Sequence, residues 1–254
     1  MSIRAEVYSP VQNTAVWLAA WLYGYESSDA TLDALQELGG TNTIEGTPII
    51  ELLSGLRAAT ADILQQPEPV LKLVLSGPGE PPALPAGGAS ARLYAERDAA
   101  GAIVVRDANP ELHHVLLPHY SDGHTEWTWI RETGSLPPAT GLMAGDADYY
   151  LSQATNSAAK LIEESAHIPN DVPNARMTVG TLADFYDIPG LPGSVPPRVA
   201  KLFARADMVA ATIELLTDKL GDHSLDHQLF GLFRHLRHAR IAGVERACTE
   251  YARA

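Results

Sequence analysis

The 254-residue chain has a single cysteine, Cys248. That excludes an internal disulfide and any thiolate metal cluster. Positive charge is also scarce: 18 basic residues, only four of them lysine, stand against 31 acidic ones, for a net charge of -13. A chain this acidic is repelled by phosphate backbones and anionic lipid, which argues against nucleic acid and membranes as partners. No apolar run comes near the roughly 20 residues of a membrane span; the longest is Ala15 to Tyr23. The N-terminal MSIRAEVY has no basic stretch leading into an apolar one, so no signal peptide is expected. There is no G-x-S-x-G elbow, and Ser76-Gly77-Pro78-Gly79 is not followed by Gly-Lys-Ser/Thr. Pro78 also removes an amide that a phosphate cradle needs, so this loop reads as a turn. A cytoplasmic protein is the expectation.

What is present is a globular composition, with 46% hydrophobic and 19% charged residues. The acidity is uneven. Residues 1–147 hold 18 acidic and 7 basic groups, residues 148–254 hold 13 and 11. We therefore expect an acidic α+β region over 1–147 and a helical region over 148–254 packed on it, as two domains or one continuous one.

Ser9-Pro10 opens a helix that is apolar nearly all round and stops at Gly24. Ser28 or Asp29 caps a second, halted by Gly39-Gly40, and Thr47-Pro48 starts a third. From Val70 the period shortens: VLKLVLS reads as a strand, and Arg92 to Glu96 with Ala102 to Arg106 as a hairpin. A second hairpin follows, and five strands joined by tight turns imply an antiparallel sheet. Beyond Gly145, helices run to about His167, over Leu182 to Asp187, from Pro197 to Leu220 and from Asp222 or Ser224 toward Tyr251. The flanking Pro189–Pro197 stretch bridges two helices. Gly221 makes the last two long helices an antiparallel pair, with Leu216, Leu220, Leu225 and Leu229 near the turn. The fold class is α+β: an antiparallel sheet with N-terminal helices and a helical C-terminal region.

The second hairpin, His113 to Arg131, fixes its own register. Asp122-Gly123 suits a two-residue type I′ turn, pairing Ser121 with His124, His119 with Glu126 and Leu117 with Thr128. Side-chain alternation puts Leu116, Pro118, Trp127 and Trp129 on a core-facing side and His119, His124 and Glu126 on the other. Two imidazoles and a carboxylate are a ligand set for Zn or Fe with positions left open. The alternative is a surface ion pair.

The last helix carries His223, His227, His235 and His238 within an arc of roughly 120° at 100° per residue, opposite its leucines. The spacing of His223 and His227 suits a metal, but no Glu completes an H-E-x-x-H motif, so a solvated face is the simpler reading. Arg234, Arg237 and Arg240 recur every three residues. They are expected to dock the helix on the acidic front half rather than clamp a phosphate. Cys248, near a helix C-terminus, is a poor nucleophile.

NTAVWLAAWLYG and KLVLSGPGEPPALPAGG resemble stretches of a conserved, function-unassigned family of high-GC Gram-positive bacteria, in which an apolar LVLP-PGD strand and loop precedes a variable middle. Ser76 and Glu80 stand here where that pattern has Pro and Asp, and the resemblance implies no activity. The functional expectation is a non-enzymatic interaction or regulatory scaffold with a protein partner. The alternatives are a metal-dependent hydrolase using His119, His124 and Glu126, and a small-molecule sensor with its pocket between sheet and helices.

Overall fold

A computed structural model describes residues 10–77, 79–138, 142–164, 190–220 and 226–253, with the backbone alone for 158–164, 215–220 and 226–230. The elements run α1 (Pro10–Leu22), α2 (Ser28–Gly39), β1 (Thr41–Ile44), β2 (Thr47–Pro48), α3 (Ile50–Thr60), β3 (Leu71–Val74), α4 (Ala89–Glu96), β4 (Ala102–Arg106), β5 (Leu112–Ser121), β6 (His124–Thr133), α5 (Ala144–Glu164), α6 (Pro197–Leu220) and α7 (Asp226–Tyr251). The expected α+β plan is the one observed: N-terminal helices, a central sheet and C-terminal helices.

The sheet has six strands in the order β2-β1-β6-β5-β4-β3. Four pairings are antiparallel, and β1 lies parallel to β6 with Thr41 opposite His124 and Thr43 opposite Glu126. The short β1–β2 hairpin replaces the expected helix start at Thr47-Pro48. Glu45 (φ 50°) and Gly46 (φ 77°) form its two left-handed central residues, the backbone such a tight turn requires. The β5–β6 register is as expected, with Ser121 opposite His124 and His119 opposite Glu126. Of the turn residues only Gly123 has a positive φ, so the turn is not type I′; the two-residue loop length is what holds the register.

Residues 92–96, expected as a strand, lie in α4. Its buried residues Ser90 and Tyr94 are four apart, one helical face, and Asp98 (φ 48°) ends the segment rather than turning a hairpin. Strand β4 pairs with β3 and β5 instead.

The two sheet faces have separate cores. On one, Ile103, Val105, Leu116 and Trp127 pack with Leu18, Leu52, Leu56 and Phe203 from the helices. On the other, Val104, Val115 and Leu117 meet Tyr94 of α4. A third cluster joins α5, α6 and α7 through Leu151, Ala206, Ala210 and Leu236. Helix α7 touches α1, α5, α6 and β3, and so belongs to both halves. Asp207 of α6 meets Arg240, and Phe203 meets Gly243, so the two helices run antiparallel as expected. Of the leucines expected at their turn, Leu225 and the side chains of Leu216, Leu220 and Leu229 lie outside the described residues, as does the helix expected over Leu182 to Asp187.

Candidate functional site

The site begins with a glycine. Gly55 of α3 lies against Trp129, where a Cβ would stand 2.4 Å from the indole ring. Beside this close approach lies a groove of about 700 Å³, within the range of small-molecule sites. Ile44, Leu52, Ala58, Ala59 and Trp129 give it apolar walls; Glu45, Glu51 and Asp107 set three carboxylates against one cation, Arg131.

A hydrogen-bonded relay lies at its base. The Trp129 indole Nε1–H donates to His114 Nδ1 at 2.9 Å, and His114 Nε2 lies 2.7 Å from Asp107 Oδ2. An indole can only donate, so Nδ1 must offer its lone pair and Nε2 must carry the ring proton to Asp107. His114 is 2% exposed, with its ring edge-on to Trp129. Desolvation pushes the Asp107 carboxyl up, but the Asn109 N–H, His114 and Arg131 outweigh it and hold the group below its usual range. Both imidazole nitrogens are committed. The arrangement fixes an ionised carboxylate and an aromatic wall, and leaves the imidazole itself no free lone pair.

The relay is absent from the residues singled out in the sequence, although its signal is there. His114 shares strand parity with Leu116 and so falls on the tryptophan face. Asp107 follows β4 with the parity of Val105, the residue opposite His114, so the β4–β5 hairpin brings the two together.

The expected hairpin cluster is partly assembled. Glu126 accepts from the Thr43 hydroxyl and from Gly46 N at 3.2 Å, and His124 Nε2 lies 3.0 Å from Thr43 Oγ1 and 3.5 Å from Glu126. Thr43 lowers the Glu126 carboxyl, helped by Gly46 and His124 against a smaller desolvation effect. The Glu126 carboxylate therefore fastens the β1–β2 turn to β6. His119 is its cross-strand neighbour and is exposed. Among the described residues no group of three or more His, Cys, Asp and Glu side chains is arranged to hold a metal.

The arginine row of α7 docks the helix, as expected. Arg234 and Arg237 bind Glu80 at 2.8 and 2.9 Å, and His238 adds a bond at 2.8 Å. Arg240 reaches Gln12 of α1 at 2.5 Å and Asp207 of α6 at 2.8 Å. Gly77 closes this contact, because a Cβ there would lie 2.2 Å from the Arg237 guanidinium. His235 is stacked on Tyr150. The histidine face is thus engaged at His235 and His238; His223 and the His227 side chain lie outside the described residues. Cys248 is fully buried, its thiol pushed up to about 12 by desolvation, and fits the expectation of a poor nucleophile.

The comparisons with known proteins give a family but no activity. The N-terminal domain of the Rv1486c-like protein matches residues 12–141 and its C-terminal domain matches residues 145–241. Two relatives from Mycobacterium tuberculosis are similar over 246 residues and 82% of each chain: the uncharacterized protein MT1533 of strain CDC 1551 / Oshkosh at 27% identity, and the uncharacterized protein Rv1486c of strain ATCC 25618 / H37Rv at 26%. No solved structure matches. With both domain models matched along most of its length, the chain belongs to the Rv1486c-like family.

Proposed function

We propose that this chain is a regulatory binding protein rather than an enzyme, and that the groove between α3 and the sheet receives a small ligand. The observation that carries the reading is the His114 relay. It supplies oriented polarity beneath a groove of suitable size, while its imidazole has no nitrogen free for proton transfer. The surplus of carboxylates selects a ligand with a cationic or amine head, and the apolar wall selects a flat or aliphatic body.

The test is a thermal-shift titration with a panel of small amines such as agmatine, phenethylamine and tryptamine. Ligand bound only to the folded state stabilises it, by about 2.7 kcal/mol at a hundredfold excess over Kd. At least one amine should raise the melting temperature of the native chain. Ala59→Trp fills the groove from the half-buried face of α3 and should remove that response without unfolding the protein. A response equal in both proteins would place binding elsewhere.

The hydrolase alternative makes a different prediction. If His119, His124 and Glu126 held Zn or Fe, EDTA would lower the melting temperature of the native chain but not of a His119→Ala/Glu126→Ala variant. Because Glu126 already accepts from Thr43 and Gly46, we expect EDTA to change neither. The scaffold component has its own surface: Met143, Tyr149 and Tyr150 of the α5 region are exposed by 67%, 60% and 47%. An exposed methionine and two tyrosines of this kind suit a protein partner.

A further inference from the structure

We propose that a second cavity, in the helical half, binds a small phosphate-bearing anion. About 650 Å³ of space opens between the start of α5, the start of α6 and the end of α7. Five cations line it (Arg198, Lys201, Arg205, Arg246 and Arg253), in a chain whose net charge is -13. Two of them are paired: Arg205 with Asp148 at 2.5 Å and Arg246 with Glu250 at 2.6 Å. Among the described residues Arg198, Lys201 and Arg253 make no ion pair.

Their placement is electrostatically unfavourable as it stands. Arg198 lies in the first turn of α6 and Lys201 one turn on, and that first turn has no acidic residue. The N-terminal end of a helix carries partial positive charge and disfavours cations. The first turn of α5 enters the same cavity and adds a second such end. Asp146 and Glu245 also line the space and offset part of the charge. What remains is three unpaired cations and two helix ends against two carboxylates.

A phosphate ester resolves the imbalance. It brings close to two negative charges near neutral pH, accepts bidentately from arginine forks, takes a point contact from lysine, and is favoured at helix N-termini. The cavity is of small-molecule size. Its lining has the opposite sign to that of the α3 groove, so the two sites take different ligands and this inference does not rest on the amine reading.

Isothermal titration of the full chain with pyrophosphate and with inorganic phosphate tests the site. Saturable binding is expected, tighter for pyrophosphate and weakening with added salt. Arg198→Ala/Lys201→Ala removes two exposed, unpaired side chains and leaves the fold intact; it should weaken pyrophosphate binding by about tenfold or more. Asp146→Asn should strengthen binding, which keeps the test informative should the double variant misfold. Arg92→Ala, which removes a positive charge from α4, should bind like the native chain. Absence of saturable binding, or binding unchanged in both cavity variants, overturns the proposal.

Discussion

Replacing Glu80 by alanine should destabilise the protein by about 1–3 kcal/mol, the cost of leaving a buried polar group without its partner. The loss falls on Arg237, whose side chain is 5% exposed and whose Nε and Nη1 have no other partner. Arg234→Ala is the contrast. Its side chain is 62% exposed, and pairs of that kind contribute under about 1 kcal/mol. Urea unfolding of both variants measures the difference. The pH dependence follows from the same carboxylate. Desolvation raises the Glu80 group, but the Arg237 bond and the nearby His238 outweigh it and bring it below its ordinary 4.5. A carboxylate lowered on folding stabilises the native state at pH above its unfolded value. That contribution disappears as pH falls through the folded one. The native chain should therefore lose stability on acidification below about pH 4.5 more steeply than the Glu80→Ala variant.

Gly40→Ala should cost about 3 kcal/mol or more and should loosen the wall of the α3 groove. Gly40 has φ 72° and ψ -149°, backbone space that is nearly glycine-only. A Cβ there would stand 2.0 Å from the Gly123 carbonyl oxygen, which is backbone and cannot rotate away. The same carbonyl accepts from Thr41 N at 2.9 Å, the bond that seats β1 beside the hairpin tip. Displacing it frees the segment that brings Ile44, Glu45 and Thr47 to the groove. Gly46→Ala is the control. It has a positive φ with nothing within 4 Å, so only backbone strain of about 1 kcal/mol applies. Thermal melting compares the stabilities, and hydrogen exchange at Thr41 reports whether β1 has left β6.

Much of this architecture is legible in the sequence where the signals are local. The β5–β6 register came from a two-residue loop, the α1 burial from an apolar run, and the α7 docking from an arginine row facing an acidic half. The failures have equally definite causes. RLYAE alternates like a strand over five residues, yet the burial of Ser90 and Tyr94 makes it helical. The β1 strand depends on a parallel neighbour 83 residues away, a pairing no local pattern specifies. The Trp129–His114–Asp107 relay has a different cause. Parity puts His114 on the Trp129 face and Asp107 beside it, but only once β4 is paired with β5 rather than with residues 92–96.

The central claim is that His114 is spent as a hydrogen-bond link and is not a base in waiting. Nitrogen-15 NMR of the histidine ring tests it most directly. The account predicts a neutral His114 with the proton on Nε2 and a bare, hydrogen-bonded Nδ1, and the same state after addition of an amine that binds the groove. A ring with its proton on Nδ1 and a free Nε2, before or after ligand is added, would break the bond to Trp129, expose a base to the groove and contradict the non-catalytic reading.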